Sequence, residues 1–211
     1  EISDAGLTMV AVDGFRLALR RFLPETPLDR EVKFVIPSAA LKELEKILGD
    51  TDDPAAFTLG RKHILFEVGA VTLVCRVLEG EFLDWRRVVP ENNPIQIGAN
   101  RAQLTASIDR VSLIVSEKLK SPVRCRFGKD KAEFHTITTI GEARDSCDLA
   151  GDGKDLEIGF NCRYFLDALK AVPTEHVILE LSNGLSPIIL TPSDGSTSFL
   201  YMVLPVRLKA E

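Results

Sequence analysis

The feature of this sequence that most constrains its fold is a threefold internal repeat. The related stretches are "FVIPSAALKELEKIL" from residue 34, "IQIGANRAQLTASIDRV" from residue 95 and "LEIGFNCRYFLDALKAV" from residue 156. Each stretch begins with a short β-branched run, continues through a small or turn residue and ends in a helical pattern. Aligned on Pro37, Asn100 and Asn161, the units recur after 63 and 61 residues. The chain is therefore predicted to consist of copies of one strand–helix–strands unit.

Apolar residues at helical spacing give each predicted helix one side that can be buried. The stripes are Leu41, Leu44, Ile47 and Leu48 in the first helix, Leu104, Ile108 and Val111 in the second, and Phe165, Ala168, Leu169 and Val172 in the third. Ser38 and Asn100 are predicted to cap the first two helices, and Pro173 is predicted to end the third.

About three strand patterns are predicted after each helix, separated by turn residues. The predicted turns include "GKDK" at 128–131, "GDGKD" at 151–155, "SNG" at 182–184 and "PSDGS" at 192–196. The opening "GLTMVAVDGFRLALRR" matches the strand half of a fourth unit, and "VVPENNP" at 88–94 is the predicted linker. One helix per antiparallel meander predicts an α+β fold in which helices cover one face of each sheet.

Composition and charge exclude several classes of protein. No apolar run approaches the roughly 18 residues that a membrane span needs, and no basic signal sequence opens the chain, so we expect a cytoplasmic protein. The four cysteines form no CxxC motif and are predicted to be reduced thiols, with no metal or cofactor. Because the sequence starts without Met inside a strand-like pattern, we also expect that residues precede Glu1.

Cationic side chains recur on the helix faces turned away from the apolar stripes. They are Lys42 and Lys46 on the first helix and Arg163 and Lys170 on the third, where Asp167 interrupts the pair, while Arg101 lies at the flank of the second helix. Mobile cations on a smooth face suit contact with a phosphate backbone, without sequence preference. The alternative, an ordinary solvated helix face, remains open at this stage.

No catalytic motif is present in the sequence. The histidines His63, His135 and His176 are scattered over separate units, and no GxSxG, HExxH or phosphate-loop pattern occurs. We therefore expect no enzyme activity, although catalytic groups that converge only in three dimensions remain an alternative.

Five motifs, in order along nearly the whole chain, carry a family resemblance. They are "VAVDGFRLA" (10–18), "VIPSAALKELEKIL" (35–48), "LEGEFLDWRRVVP" (78–90), "LEIGFNCRYFLDAL" (156–169) and "MVLPVRL" (202–208). On these motifs the chain resembles the bacterial sliding clamps, the beta subunits of DNA polymerase III. The resemblance implies a DNA-clamp fold in which helices line a ring around duplex DNA and antiparallel sheets lie outside.

The same resemblance predicts the domain organisation and the partners. Residues 1–92 correspond to part of the middle clamp domain and residues 93–211 to the C-terminal domain, while the N-terminal domain is absent from this sequence. The expected role is a non-catalytic processivity factor that binds duplex DNA, DNA polymerases and a clamp loader, as a homodimer when full length. Leu113 and Ile114 match the apolar part of the family's subunit contact.

The resemblance also implies a pocket, between the middle and C-terminal domains, for short hydrophobic-acidic partner peptides. The matching positions are Val12, Gly14, Phe15, Arg16, Leu17, Leu83, Arg87, Val88, Asn161, Tyr164, Pro187, Met202, Leu204, Pro205, Val206 and Arg207. Val12, Phe15 and Leu83 stand where the family commonly has Thr, His and Pro, which predicts a more apolar site.

Other interpretations of these pocket residues remain open. Arg16, Arg87 and Arg207 suit an acidic peptide at the rim, but Arg87 could instead bridge to Asp13 or Asp84. Met202 and Leu204 could be ordinary core residues. A scaffold that uses the same cleft without contacting DNA is the alternative function.

Overall fold

Three α-helices occur where the repeat predicts them in the computed structural model, which describes residues 1–4, 6–23, 31–50, 54–115 and 121–208. They are α1 (Ser38–Leu48), α2 (Arg101–Ser112) and α3 (Cys162–Ala171). The residues that precede them, Pro37, Asn100 and Asn161, are the three on which the repeat was aligned. The repeat in the sequence is therefore a repeat in the structure.

The N-caps of the helices differ in how they satisfy the free backbone N–H groups of the first turn. The side chain of Asn100 accepts a hydrogen bond from the N–H of Gln103 at 3.1 Å, as predicted. The prediction for Ser38 is wrong, because Pro37 is the cap residue and Ser38 is already inside the helix. Proline supplies the extended geometry of a cap, with φ of −59° and ψ of 134°, but no side-chain acceptor.

Twelve strands in the described residues complete the fold, which is α+β with antiparallel sheets, as predicted. In chain order they are β1 (Ile2–Ser3), β2 (Gly6–Val12), β3 (Arg16–Phe22), β4 (Ala56–Leu59), β5 (His63–Val68), β6 (Val71–Arg76), β7 (Ile95–Asn100), β8 (Val123–Thr138), β9 (Gly141–Phe160), β10 (His176–Leu181), β11 (Ile188–Pro192) and β12 (Phe199–Val203). A short 3-10 helix covers Trp85–Arg87.

The contacts divide the chain into two units: residues 1–5 with 26–84, and residues 6–25 with 85–211. In the first unit, α1 contacts strands β5 and β6 of the antiparallel sheet β4-β5-β6. The apolar stripe of α1 is only half-buried. The short β-branched run predicted to open this unit from residue 34 does not form a strand, since only Val35 of that run pairs, in an isolated bridge with Leu78. Pro37 follows at once and has no N–H with which to extend the ladder.

The second unit contains a sheet with the strand order β2-β3-β12-β11-β10-β7-β9-β8. Helices α2 and α3 pack on one face of it, and the predicted stripe residues Leu104, Ile108, Phe165 and Leu169 are all buried in the main core. The predicted β2–β3 hairpin is present. This unit carries most of the predicted site residues.

Two predicted turns are wrong and reduce the predicted strand count of the second unit. "GKDK" and "GDGKD" lie opposite each other inside β8 and β9, where the pairing shifts register. Positive φ angles of 58° at Asp130 and 56° at Lys154 and Asp155 mark an irregular stretch of the hairpin. The chain instead reverses at Thr139–Ile140, so α2 is followed by two long strands.

None of the helices in the described ranges is long and apolar enough to cross a membrane. Among the same residues, no cluster of three or more His, Cys, Asp or Glu side chains could hold a metal ion. The cysteines Cys75, Cys125, Cys147 and Cys162 are free thiols.

Candidate peptide-binding site

The turn between β2 and β3 is held by its own polar groups. Gly14 has φ of 84°, a conformation that favours glycine. A carboxylate oxygen of Asp13 accepts a hydrogen bond from the N–H of Phe15 at 3.1 Å, and the other oxygen accepts one from Nε of Arg16 at 2.9 Å. These bonds fix the backbone of Phe15 at the tip, while its side chain is 58% exposed.

The C-terminal tail runs beside this turn. The N–H of Leu204 donates to the carbonyl oxygen of Phe15 at 2.9 Å, and the N–H of Val206 donates to the carbonyl of Gly159 at 2.7 Å. The segment 204–206 is therefore tied both to the turn and to the end of β9, just before α3. The C-terminal motif at 202–208 therefore lies beside the β2–β3 turn.

The first turn of α3 contributes an aromatic ring to the same surface. The side-chain oxygen of Asn161 accepts hydrogen bonds from the N–H groups of Arg163 at 3.0 Å and Tyr164 at 3.3 Å, which fixes the start of the helix. The rings of Phe15 and Tyr164 stack with centroids 5.8 Å apart and planes 25° apart. We call Phe15, Tyr164 and the tail residues 204–207 the hairpin–tail surface.

Arg16 links the hairpin to α3 through the carboxylate of Asp167 and also bonds to Asp13 within the turn. Its Nη1 lies 2.6 Å from an oxygen of Asp167, its Nε bonds to Asp13, and its guanidinium lies 4.6 Å from the ring centroid of Tyr164. Burial lowers the pKa of Arg16, but the bonds to Asp167 and Asp13 outweigh it and raise that pKa above its ordinary value. The charged form of Arg16 is thus strongly favoured, and this group of three carries one net negative charge.

Asp13 responds to the same pair in the opposite sense. Partial burial raises its pKa, but the hydrogen bond from Arg16 and the N–H of Phe15 together lower it below its ordinary value. Asp13 is therefore held as a carboxylate, which keeps the turn closed near neutral pH.

Two other predicted site residues, Leu17 and Met202, are buried on the face of the sheet that is turned away from the main core. Leu17 is 0% and Met202 is 2% exposed, and they oppose each other across β3 and β12. Together with Leu19, Trp85 and Ile189 they form what we call the sealed cluster. The neighbouring Ala18 packs on the main core instead, because successive side chains of a strand point to opposite faces. Met202 is therefore a core residue in this structure, as the alternative interpretation of the sequence predicts.

The remaining predicted residues are more accessible. In the second unit, the side chains of Val12, Arg87, Val88, Val206 and Arg207 are exposed, whereas Pro187, Leu204 and Pro205 are half-buried. Leu83 is exposed and belongs to the first unit. Within the second unit, the structure thus brings Phe15, Arg16, Asn161, Tyr164 and the tail together, and separates Leu17 and Met202 from them.

The predicted DNA-facing cations differ in what they contact. Arg163 and Lys170 are exposed on the same side of α3, whereas Nε of Arg101 donates to the carbonyl of Thr174 at 2.9 Å. In the first unit Lys42 is exposed, and Lys46 bonds to Glu43 at 2.7 Å. Lys42, Arg163 and Lys170 are thus exposed, and the structure is compatible with both sequence interpretations.

Leu113 and Ile114 lie at the end of α2. Leu113 is 78% exposed and Ile114 is half-buried. The alternative interpretation, burial of Leu113 in the helix stripe, does not hold in the isolated chain.

The sequence analysis missed two features of the second unit. Asp167 was predicted only to interrupt a cationic face, yet it is the partner of Arg16. The signal that could have revealed this pair was an acidic residue inside a basic stripe.

The second missed feature is a groove of about 400 Å³ on the β8–β9 hairpin. Its cations are paired within the groove or beside it, Arg124 with Glu157, Arg144 with Glu142, and Arg126 with Asp155 at 3.1 Å.

Comparison with known families decides the membership of this chain. The C-terminal domain of the DNA polymerase III beta subunit matches residues 86–207, and the central domain of the same subunit matches residues 1–84. This chain belongs to the DNA polymerase III beta-subunit family. Proteins of this family are non-catalytic processivity factors of DNA replication, so the expectation of no enzyme activity is confirmed at the level of the family.

Similar beta subunits cover almost all of this chain. The beta sliding clamps of Staphylococcus epidermidis and Staphylococcus aureus are each 33% identical over 210 residues, which is 98% of this chain and 55% of theirs. The chain thus spans about half the length of the curated relatives it matches.

Solved beta subunits confirm the clamp fold. The DNA polymerase III subunit beta of Pseudomonas aeruginosa aligns with a TM-score of 0.91 and 28% identity, over 98% of this chain and 57% of that one. A sliding clamp of Bartonella birtlesii bound to griselimycin aligns with a TM-score of 0.87 and 28% identity, over 95% and 54% of the two chains.

Proposed function

We propose that this chain supplies the middle and C-terminal parts of a replicative sliding clamp. In the whole protein, a homodimeric ring encircles duplex DNA and tethers DNA polymerase III and other replication and repair proteins. The domain boundary lies near residue 92 in this proposal, within the segment 88–94, which contains neither helix nor strand. Family membership and the placement of the tail beside the β2–β3 turn support the sliding-clamp proposal.

The observation that carries the peptide-binding part of the proposal is the hairpin–tail surface. Phe15 and Val206 present apolar area to solvent beside a tail whose backbone is already fixed. Burying such area under Leu or Phe side chains of a partner contributes about 25 cal/mol per Å². Arg207 is exposed on the same tail and supplies a cation for an acidic residue of the peptide. Arg87, Val88, Pro187 and Leu83 stay in the proposed site on the family resemblance.

The DNA-binding part of the proposal depends on the helix cations. Arg163 and Lys170 on α3, with Lys42 and Lys46 on α1 and Arg101 on α2, contact phosphates without reading bases. Leu113, exposed at the end of α2, and Ile114 after it form the apolar part of the subunit contact in the complete ring.

Calorimetry with the full chain and a capped peptide that carries Leu, Phe and Asp tests the peptide site. We expect a dissociation constant that is micromolar or tighter, corresponding to about −8 kcal/mol or better. Val206→Asp introduces an unpaired charge into the contact and is expected to weaken binding at least tenfold. The matched control is Ile140→Asp, since Ile140 is exposed on the β8–β9 turn, and it is expected to leave binding unchanged.

Two results would overturn this part of the proposal. One is the absence of measurable binding at millimolar peptide. The other is equal affinity in the wild-type chain and the Val206→Asp variant, which would place the peptide elsewhere.

A further inference from the structure

Gly159 lies near the end of β9, at the point where the C-terminal tail pairs with that strand. Its neighbours Ile158 and Phe160 are both 0% exposed and belong to the main core. Because successive side chains of a strand point to opposite faces, a side chain at position 159 would point away from that core. The N–H of Val206 donates to the carbonyl oxygen of Gly159 at 2.7 Å, in an isolated antiparallel bridge. Position 159 therefore joins the tail to β9.

The tail comes too close to Gly159 to leave room for a side chain. A Cβ atom built on Gly159 would lie 2.6 Å from the carbonyl oxygen of Val206 and 2.6 Å from Cδ2 of Leu208. Non-bonded carbon atoms pack about 3.5–4.0 Å apart, so neither contact is possible without a shift. Leu208 can turn its side chain away, but the oxygen of Val206 belongs to the backbone. The tail itself would therefore have to move.

Backbone conformation does not explain why this position holds a glycine. The φ angle of Gly159 lies outside the left-handed range, unlike that of Gly14 in the β2–β3 turn. A residue with a side chain could therefore adopt the backbone of position 159. What requires glycine there is the close approach of the tail.

Two backbone hydrogen bonds fix the tail after β12, among the described residues. One is the bond of Val206 to β9, and the other runs from the N–H of Leu204 to the carbonyl oxygen of Phe15 at 2.9 Å. Pro205, between the two donors, has no N–H to contribute. Val206 and Arg207 are both exposed. The orientation of these two proposed peptide contacts thus depends on where this short segment is held.

We infer that Gly159 is a positioning residue for peptide binding, because it admits the backbone of the tail against β9 and so fixes Val206 and Arg207 where a peptide meets them. This inference rests on the proposed function and names a residue outside the hairpin–tail surface on which that function depends. A larger residue at position 159 displaces the tail but leaves the core side of β9 unchanged. A displaced tail has to be ordered again when the peptide binds, which weakens the affinity.

A comparison of Gly159→Ala with Gly128→Ala in the full chain tests the inference. Gly128 is the matched control, because its φ is also outside the left-handed range and an added Cβ would make only ordinary contacts. The nearest atoms would be Oδ1 of Asp155 at 3.4 Å and the carbonyl oxygen of Lys131 at 3.5 Å. Amide hydrogen exchange followed by NMR is expected to be at least about tenfold faster at Val206 in Gly159→Ala than in wild type. Affinity for the peptide that carries Leu, Phe and Asp is expected to fall about tenfold in the same variant, and Gly128→Ala is expected to change neither quantity.

Leu208→Ala tests the same contact from the side of the tail, without adding an atom to β9. Urea denaturation verifies that each variant is folded, and Leu208→Ala decides the question if Gly159→Ala is not. It is expected to change exchange at Val206 and peptide affinity in the same direction as Gly159→Ala, by smaller factors.

The outcomes separate this inference from the proposed function. Unchanged exchange at Val206 in the folded variants, or faster exchange with unchanged peptide affinity, overturns the inference and leaves the proposed function intact. No binding of the peptide to the wild-type chain overturns the proposed function and, with it, the role of Gly159 in binding.

Discussion

Most of the sealed cluster lies on β3 and β12, and the hairpin–tail surface includes the residues that directly precede β3 and directly follow β12, yet the two present opposite chemistry. Arg16 and Leu17 are consecutive in β3, but Arg16 reaches α3 while Leu17 is buried against Met202 and Trp85. The tail shows a second contrast, since Met202 is buried within β12 and Val206, which follows the end of that strand, is exposed. Within β3, a shift of one position moves a side chain to the other face of the sheet, because successive side chains of a strand point to opposite faces.

This difference changes what the family resemblance implies for individual residues. Leu17 and Met202 match pocket positions, but in this chain they support the surface from below. In the proposed site, Phe15, Tyr164 and Val206 are the residues whose accessible atoms a peptide would bury. Stability and affinity measurements should therefore separate the two groups.

The largest expected effect is on stability, in the sealed cluster. Met202→Ala removes a buried side chain and is expected to lower the free energy of unfolding by about 2–5 kcal/mol. The only other methionine of the chain, Met9, is 47% exposed. Met9→Ala is expected to change the free energy of unfolding by no more than about 0.5 kcal/mol. Urea denaturation measures both. Equal effects would remove the distinction between sealed and exposed positions.

The second prediction compares the N-cap of α3, which borders the hairpin–tail surface, with the N-cap of α2, which is remote from that surface. Asn161→Ala and Asn100→Ala each delete an N-cap acceptor and are each expected to cost about 1 kcal/mol of stability. Only Asn161→Ala is expected to weaken peptide binding as well, because Asn161 fixes the turn that presents Tyr164. A similar loss of peptide affinity in Asn100→Ala would attribute the effect to general destabilisation.

A third prediction concerns the exposed side of α3, where we propose contact with DNA. Arg163→Gln with Lys170→Gln is expected to weaken binding of a short duplex and to reduce the salt slope of log K by about 2. Arg126→Gln with Arg144→Gln, which neutralises two exposed arginines of the β8–β9 groove, is the control and is expected to leave the slope unchanged. Anisotropy at several salt concentrations distinguishes the pairs, and identical slopes would argue against a DNA role for α3.

The smallest expected effect is the pH dependence of the β2–β3 turn. Because the folded pKa of Asp13 is lowered, Asp13 stabilises the fold fully above its unfolded pKa of about 3.9. That contribution is lost as the pH falls through the lower folded pKa. Unfolding measured from pH 7 to pH 2 should show that Asp13→Asn differs from wild type at neutral pH and converges with it in acid. A difference that grew in acid would have the wrong sign.

The sequence predicted the elements that depend on local periodicity. The stripes of α2 and α3 and the cap at Asn100 follow from spacing and side-chain chemistry within a few residues. The prediction that Ser38 caps α1 is wrong because proline can occupy the cap position by backbone geometry alone. The prediction of a hairpin turn at "GKDK" is wrong because Gly and Asp tolerate positive φ both in a turn and in an irregular strand. Only the pairing with the partner strand distinguishes the two cases.

The candidate site shows a similar division between what was and was not predictable. The family resemblance predicts the residues of the proposed site, but their exposure depends on which face of the sheet each residue occupies. The Arg16–Asp167 pair joins residues 151 positions apart in the chain, so no local pattern could reveal it. The stacking of Phe15 on Tyr164 is non-local for the same reason.

A crystal structure of this chain with a bound peptide that carries Leu, Phe and Asp would test the central claim most directly. The account predicts an extended peptide along residues 204–207, in contact with the ring of Phe15, with the side chains of Leu17 and Met202 still packed against Trp85. A peptide located instead in the β8–β9 groove near Arg124 and Arg144, with the hairpin–tail surface left bare, would contradict it.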